Sequence, residues 1–209
     1  MKDIGIYIHM PFCKQKCYYC DFVSYAEAES LIGEYINKVN KELDEVVKKL
    51  KDYNVKTIYI GGGTPSLCNI DEFRKLNIQK YVTKDTEFTI EVNPGTVTEE
   101  KLIMYKSMGV NRLSIGMQST NNKILKEIGR IHTYEEFLKT FKLARQLEYK
   151  NINVDLMIGL PNQTLNDIEE STNKIIELNP EHISAYSLIL EKGTRLERLV
   201  NARRIESSK

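Results

Sequence analysis

Short, mostly apolar runs alternate along the chain with longer amphipathic stretches, the pattern of repeated βα units around a parallel sheet. Residues 4–9, 57–60, 87–92, 112–116, 152–158 and 182–188 are the six predicted strands. The clearest helical stretch spans 31–50, where Ile32, Ile36, Val39, Leu43, Val46, Val47 and Leu50 recur at helical spacing. That face is expected to pack on the sheet. Start and stop signals mark later helices: Thr98 with Gly109 behind it, Thr133 with Glu136 as a capping box, and Thr164 ahead of a helix that Asn179-Pro180 ends. No sequence repeat, low-complexity tract or Pro/Gly linker interrupts the series, so residues 1–209 read as one domain.

Parallel sheets gather ligand sites at the carboxyl ends of their strands. Here a cysteine cluster follows the first strand and "GGGTPS" the second, while "EVNPG", "SIGMQS" and "DLMIGLP" end the next three. The polar and glycine-rich residues therefore collect on one rim. Six units are too few for an eight-stranded closed barrel, so the fold class is α/β, a partial parallel (βα)6 barrel open on one side.

Composition narrows the function classes. With 41% hydrophobic and 28% charged residues in 209, one soluble domain with a sizeable core is expected. Lys and Arg number 30 against 29 Asp and Glu, which gives no net field for nucleic acid. The apolar runs are short and broken by charges, and "MKDIGIYIHM" lacks a signal peptide's apolar core, so no integral membrane segment and a cytoplasmic location are expected. In that reducing compartment, clustered cysteines point to metal rather than disulfides.

Cys13, Cys17 and Cys20 form CxxxCxxC, while Cys68 stands far off and reads as a small buried hydrophobe. Structural zinc takes four protein ligands, so zinc would need His9 or Cys68 as the fourth. A [4Fe–4S] cluster held by three thiolates leaves one iron open to a non-protein ligand. Chance clustering in a core is disfavoured by the charges of "CKQKC".

CxxxCxxC with Tyr19 just before its last cysteine resembles the radical S-adenosylmethionine superfamily, and "GGGTPS" looks like that superfamily's glycine motif. The runs "IYIHMPFC", "CYYCDF", "EVNPG", "GVNRLSIGMQS", "IGRIH", "VDLMIGLPNQT" and "ISAYSLILEKGT" together resemble the oxygen-independent coproporphyrinogen oxidase family over 4–194. Within it, the dehydrogenase branch carries another cysteine two residues beyond the third ligand. This chain has Phe22 there, as the haem chaperone branch does.

The resemblance implies a [4Fe–4S] cluster on Cys13, Cys17 and Cys20 and S-adenosylmethionine at its open iron, with reductive cleavage of that cofactor as the superfamily's chemistry. Cofactor contacts are implied for Tyr7, near the sulfonium, and for Tyr19, Gly62, Gly63 and Thr64. Glu91 is implied for the methionyl amine or ribose, Gln118 for a cofactor hydrogen bond, Arg130 for the methionyl carboxylate and Asp155 for the ribose hydroxyls. Ser114 and Gly116 shape the fourth strand's end. A buried charge needs a partner, which supports roles for Glu91 and Asp155. His132 and His182 read as surface or strand-edge residues, and His9 as a residue that orients the cluster loop. Haem or porphyrinogen is the implied ligand, with a haem-accepting protein and an electron donor as partners. Family members continue beyond "NARRIESSK", so the chain is expected to bind cluster and S-adenosylmethionine yet to be incomplete for haem delivery or turnover.

Overall fold

The computed structural model describes residues 2–47, 49 and 52–202. Its strands are β1 (Lys2–Met10), β2 (Phe12–Cys13), β3 (Tyr25–Ala26), β4 (Tyr53–Gly62), β5 (Glu87–Val92), β6 (Arg112–Gln118), β7 (Ile152–Ile158) and β8 (His182–Ser187). The helices are α1 (Ile32–Val47), α2 (Ile70–Arg74), α3 (Glu99–Ser107), α4 (Asn122–Glu127), α5 (Tyr134–Gln146), α6 (Leu165–Leu178) and α7 (Arg195–Asn201). Six strands pair in parallel in the order β1-β4-β5-β6-β7-β8, while β2 and β3 make a small separate pair. Every neighbour in the large sheet is the next long strand in sequence, the order that successive βα units give in a barrel-like sheet. The result is an open half-barrel with α/β architecture.

The two faces of the sheet differ in chemistry, because successive side chains along a strand point to opposite sides. On the helix side stand Ile58 and Ile60, Phe88 and Ile90, Leu113 and Ile115, and Ile152 and Val154, all fully buried. On the hollow side stand Tyr59, Glu91, Ser114, Asn153, Asp155 and Ser184, which line one cavity. A closed barrel fills its interior with apolar layers. This interior is polar because it is a cavity rather than a core.

The helix signals hold. Thr98 caps α3 and Gly109 follows it at φ +94°, while Thr133 with Glu136 and Thr164 with Asp167 form capping boxes. Asn179 ends α6 in the left-handed region. On α1, Ile32, Ile36 and Leu43 join the main core, and Val39 packs against it. Val46 departs from the expectation: it is exposed. Leu50 lies outside the described residues, as does the side chain of Val47. Among the described residues, no helix is long and apolar enough to cross a membrane.

Candidate cofactor site

The cysteine loop is fastened at several points. Cys13 ends β2, is buried, and receives a hydrogen bond from Thr64 Oγ1 at 3.6 Å. Tyr18 N–H donates to Ile128 O at 2.9 Å, Gln15 Nε2 to Gly129 O at 3.0 Å, and Leu196 N–H to Tyr18 O at 2.7 Å. The Arg195 guanidinium lies 3.9 Å from the centre of the Tyr18 ring. Tyr19 packs against a small satellite core that includes Ile124, Ile128 and Leu160. His9 Nε2 donates to Val23 O at 2.7 Å, which leaves Nδ1 to accept from Tyr7 OH at 2.9 Å. His9 therefore tethers the far end of the loop, the role read from the sequence.

The glycine motif fits β4 against this loop. Gly62 has φ +112°, and a Cβ there would collide with the His9 ring. A Cβ on Gly63 would come within 2.8 Å of Phe12 O. The backbone N–H groups of Gly63 and Thr64 donate to Met10 O and Phe12 O, and that of Gly62 donates to Glu91 Oε2 at 3.0 Å. These glycines answer to neighbours inside the protein.

Glu91 also accepts from Tyr59 OH at 2.8 Å, which with Gly62 supplies the partner a carboxylate in an apolar strand needs. Asp155 accepts from Asn153 Nδ2 at 2.7 Å, with Ser114 Oγ at 3.5 Å. Burial, opposed by the Asn153 hydrogen bond and reinforced by Glu91, pushes the Asp155 carboxyl up to about 6. Tyr59 and Tyr186 are held above the usual phenol range, chiefly by burial.

Gln118 ends β6 at φ +68°, beside a register irregularity, and its Oε1 accepts from Tyr186 OH at 3.0 Å. Arg130 is not a solvated surface charge. Its Nη2 donates to Gly116 O at 2.9 Å and Asn93 Oδ1 at 3.1 Å, and its Nη1 lies 3.7 Å from Cys17 Sγ. His132, expected at the surface, is instead buried. Its Nε2 donates to Met117 O at 3.3 Å, and its Nδ1 accepts from Arg130 Nε at 3.3 Å. Burial first and Arg130 second push it down to about 3, so it stands neutral behind the arginine. His182 is exposed at the start of β8, as read.

A cavity of about 730 Å³ joins these groups, lined by Cys13, Cys17, Cys20, Tyr19, Gly62, Gly63, Thr64, Glu91, Gln118, Arg130 and Asp155. Tyr7 is not brought into it: the ring is 59% exposed and stacks on Tyr59 with centroids 6.1 Å apart. Asn93, Tyr59, Tyr186 and Arg112 line or support the cavity without having been singled out from sequence. Asn93, Arg112 and Tyr186 lay inside quoted runs, and strand alternation was the signal for Tyr59.

The donor set was tested against the possible metals. All four cysteines are free, and Cys68 is buried away from the loop, its thiol turned to Asn69 O. Among the described residues, no three His, Cys, Asp or Glu side chains converge closely enough for a single metal ion. Cys13, Cys17 and Cys20 nevertheless line one cavity, and three thiols on one loop suit a cluster with an open position. Arg130 and Thr64 as donors to sulfur suit thiolates, and the carboxylate and amide groups of the cavity suit a polar organic ligand.

The half-barrel, its polar hollow and the three-thiol loop at its rim define a protein of the iron–sulfur, S-adenosylmethionine-binding class. The chain belongs to the Radical SAM superfamily, whose family profile matches residues 7–175. Membership implies a [4Fe–4S] cluster and S-adenosylmethionine. The chain is 39% identical over 204 residues to the heme chaperone HemW of Bacillus subtilis (strain 168), covering 95% of this chain and 54% of that protein. It is 42% identical over 199 residues to HemW of Escherichia coli (strain K12), at 93% and 53% coverage. The oxygen-independent coproporphyrinogen-III oxidase-like protein HemZ of Bacillus subtilis is 35% identical, at 94% and 41%. Among solved structures, coproporphyrinogen III oxidase (HemN) from Escherichia coli superposes with a TM-score of 0.83 at 22% identity, over 97% of this chain and 52% of that one. The chain spans about half the length of the curated relatives it matches.

Proposed function

We propose that this chain, acting over residues 1–209 as one domain, is the cluster- and S-adenosylmethionine-binding part of a cytoplasmic haem chaperone. Three free thiols beside a polar cavity, with no fourth protein ligand among the described residues, carry the cofactor reading. Phe22, where the dehydrogenase branch has a further cysteine, and the similarity to proteins named heme chaperone support the choice of branch. Haem is the ligand on this reading, received and passed to a haem-requiring protein, with electrons from a separate donor.

Cys13, Cys17 and Cys20 would hold the cluster and leave one iron for the methionyl amine and carboxylate. When bound and reduced, the cluster would supply the one electron that cleaves the sulfonium of S-adenosylmethionine. Arg130 offers its guanidinium to the carboxylate, held in place by Gly116 O and neutral His132. Asp155, ionised above about pH 6, accepts from the ribose hydroxyls, and Glu91 and Gln118 fix the remaining polar groups. Tyr7 supports the sulfonium end from outside the cavity, through Tyr59 and His9. Tyr19, Gly62, Gly63 and Thr64 shape the wall and seat the cluster loop. Similarity to HemZ favours a second reading, anaerobic oxidative decarboxylation of a porphyrinogen propionate.

Electron paramagnetic resonance on anaerobically reconstituted, dithionite-reduced protein tests the cofactor reading. A reduced-cluster signal that shifts with S-adenosylmethionine, and is lost in Cys17→Ala, is expected; stoichiometric zinc without such a signal would overturn it. Incubation with haem and with coproporphyrinogen III separates the branches, through stable haem binding or vinyl-group formation.

A further inference from the structure

The floor of the cavity carries a cation that the cofactor roles above do not use. Arg112 opens β6 on the hollow side, and His182 opens β8 beside it; both line the cavity. Arg112 Nη1 donates to Thr89 Oγ1 at 3.3 Å and Nη2 donates to His182 Nδ1 at 3.0 Å. Both acceptors are neutral, since an imidazole nitrogen that accepts carries no proton. Among the described residues, Arg112 forms no salt bridge. Four carboxylates line the cavity, Asp21, Glu91, Asp155 and Glu191, and none of them pairs with Arg112; Glu91 is held by Tyr59 and Gly62, and Asp155 by Asn153 and Ser114. A guanidinium has five N–H donors, and two are used here.

Arg130 cannot serve this end of the cavity. It bonds Gly116 O, four residues up the same strand, which at about 3.3 Å per residue sets that level roughly 13 Å from Arg112. The cavity thus has one cation at the rim, beside the cysteines, and another at the floor.

We propose that Arg112 is the receptor for a carboxylate of a second ligand bound beneath S-adenosylmethionine, namely a propionate side chain of a tetrapyrrole. The identity of the ligand rests on the function proposed above, and haem and coproporphyrinogen share this group. The planar guanidinium, its edge set by Thr89 and His182, presents its free donors to the two oxygens of a carboxylate. His182 is then a positioning residue.

The test is an anaerobic binding titration of the reconstituted protein with haem, haem dimethyl ester and coproporphyrinogen III, in the wild type, Arg112→Gln and Arg112→Lys. Wild type is expected to prefer haem to its ester. Arg112→Gln should lose roughly tenfold to a hundredfold in affinity for the free acids while ester binding and the thermal midpoint stay unchanged. Arg112→Lys should recover part of the loss. Haem and coproporphyrinogen III losing together places both ligands on Arg112, and loss for one alone identifies which uses it. Equal losses for acid and ester, or equal wild-type affinity for the two, overturn the carboxylate receptor and leave the chaperone reading standing. Binding of neither tetrapyrrole to wild type overturns both.

Discussion

Asp155 shows how a single side chain can be held against the interest of the empty fold. Its carboxyl is pushed from the ordinary 3.8 up to about 6 by burial, so folding takes up a proton between those values. The contribution of Asp155 to the stability of the cofactor-free protein should therefore be fully present below about pH 4, be lost as pH rises through 6, and stay absent above. Asp155→Asn removes the penalty while its amide oxygen still accepts from Asn153. Without cofactors it should gain on the order of 2 kcal/mol at pH 7.5 and nothing at pH 4, read by urea unfolding at both. S-adenosylmethionine affinity should drop in the same variant. At this scale the sequence was informative where a charge interrupted an apolar run, as at Glu91 and Asp155. It was silent where burial runs against residue type: His132 is buried and Val46 exposed, the reverse of the environments expected of them. Arg112 was equally hidden, because the first residue of a strand reads as a boundary rather than as a floor.

The strands and capped helices were legible because each carries a local signal. Periodicity found the six long strands to within four residues at either end, two of them without error, and Thr98, Thr133 and Thr164 mark helix starts by side-chain hydrogen bonds to their own first turns. Helices α2 and α4, of 5 and 6 residues, are too short to show a hydrophobic period and were not resolved individually. The cap on α5 also has a bearing on the site, since it lies directly after Arg130 and His132. Thr133→Ala should cost about 1 kcal/mol in denaturant unfolding. It should also weaken S-adenosylmethionine binding in the reconstituted protein, because the frayed turn loosens the guanidinium. Stability loss with unaltered cofactor affinity would show that α5 merely fills space behind the site.

At the scale of the molecule, the rim of functional residues followed from one rule, that parallel strands deliver their carboxyl ends to a common face. The polarity of the hollow did not follow, because a mostly apolar strand reads alike whether its other face meets helices or a ligand. The openness of the barrel has a further consequence in the way the chain behaves at high concentration. Strand β8 pairs only with β7 among the described strands, so its outer edge presents unmatched backbone donors and acceptors. Ile189 and Leu190, 69% and 40% exposed, lie directly beyond it. Such an edge is a template for a further strand, and two copies laid edge to edge would satisfy it. Sedimentation velocity should show reversible self-association that grows with loading concentration and survives high salt, since the contact is backbone and apolar rather than ionic. A single monomeric boundary at every concentration would mean that the twist of β8 or the chain following it already blocks the edge.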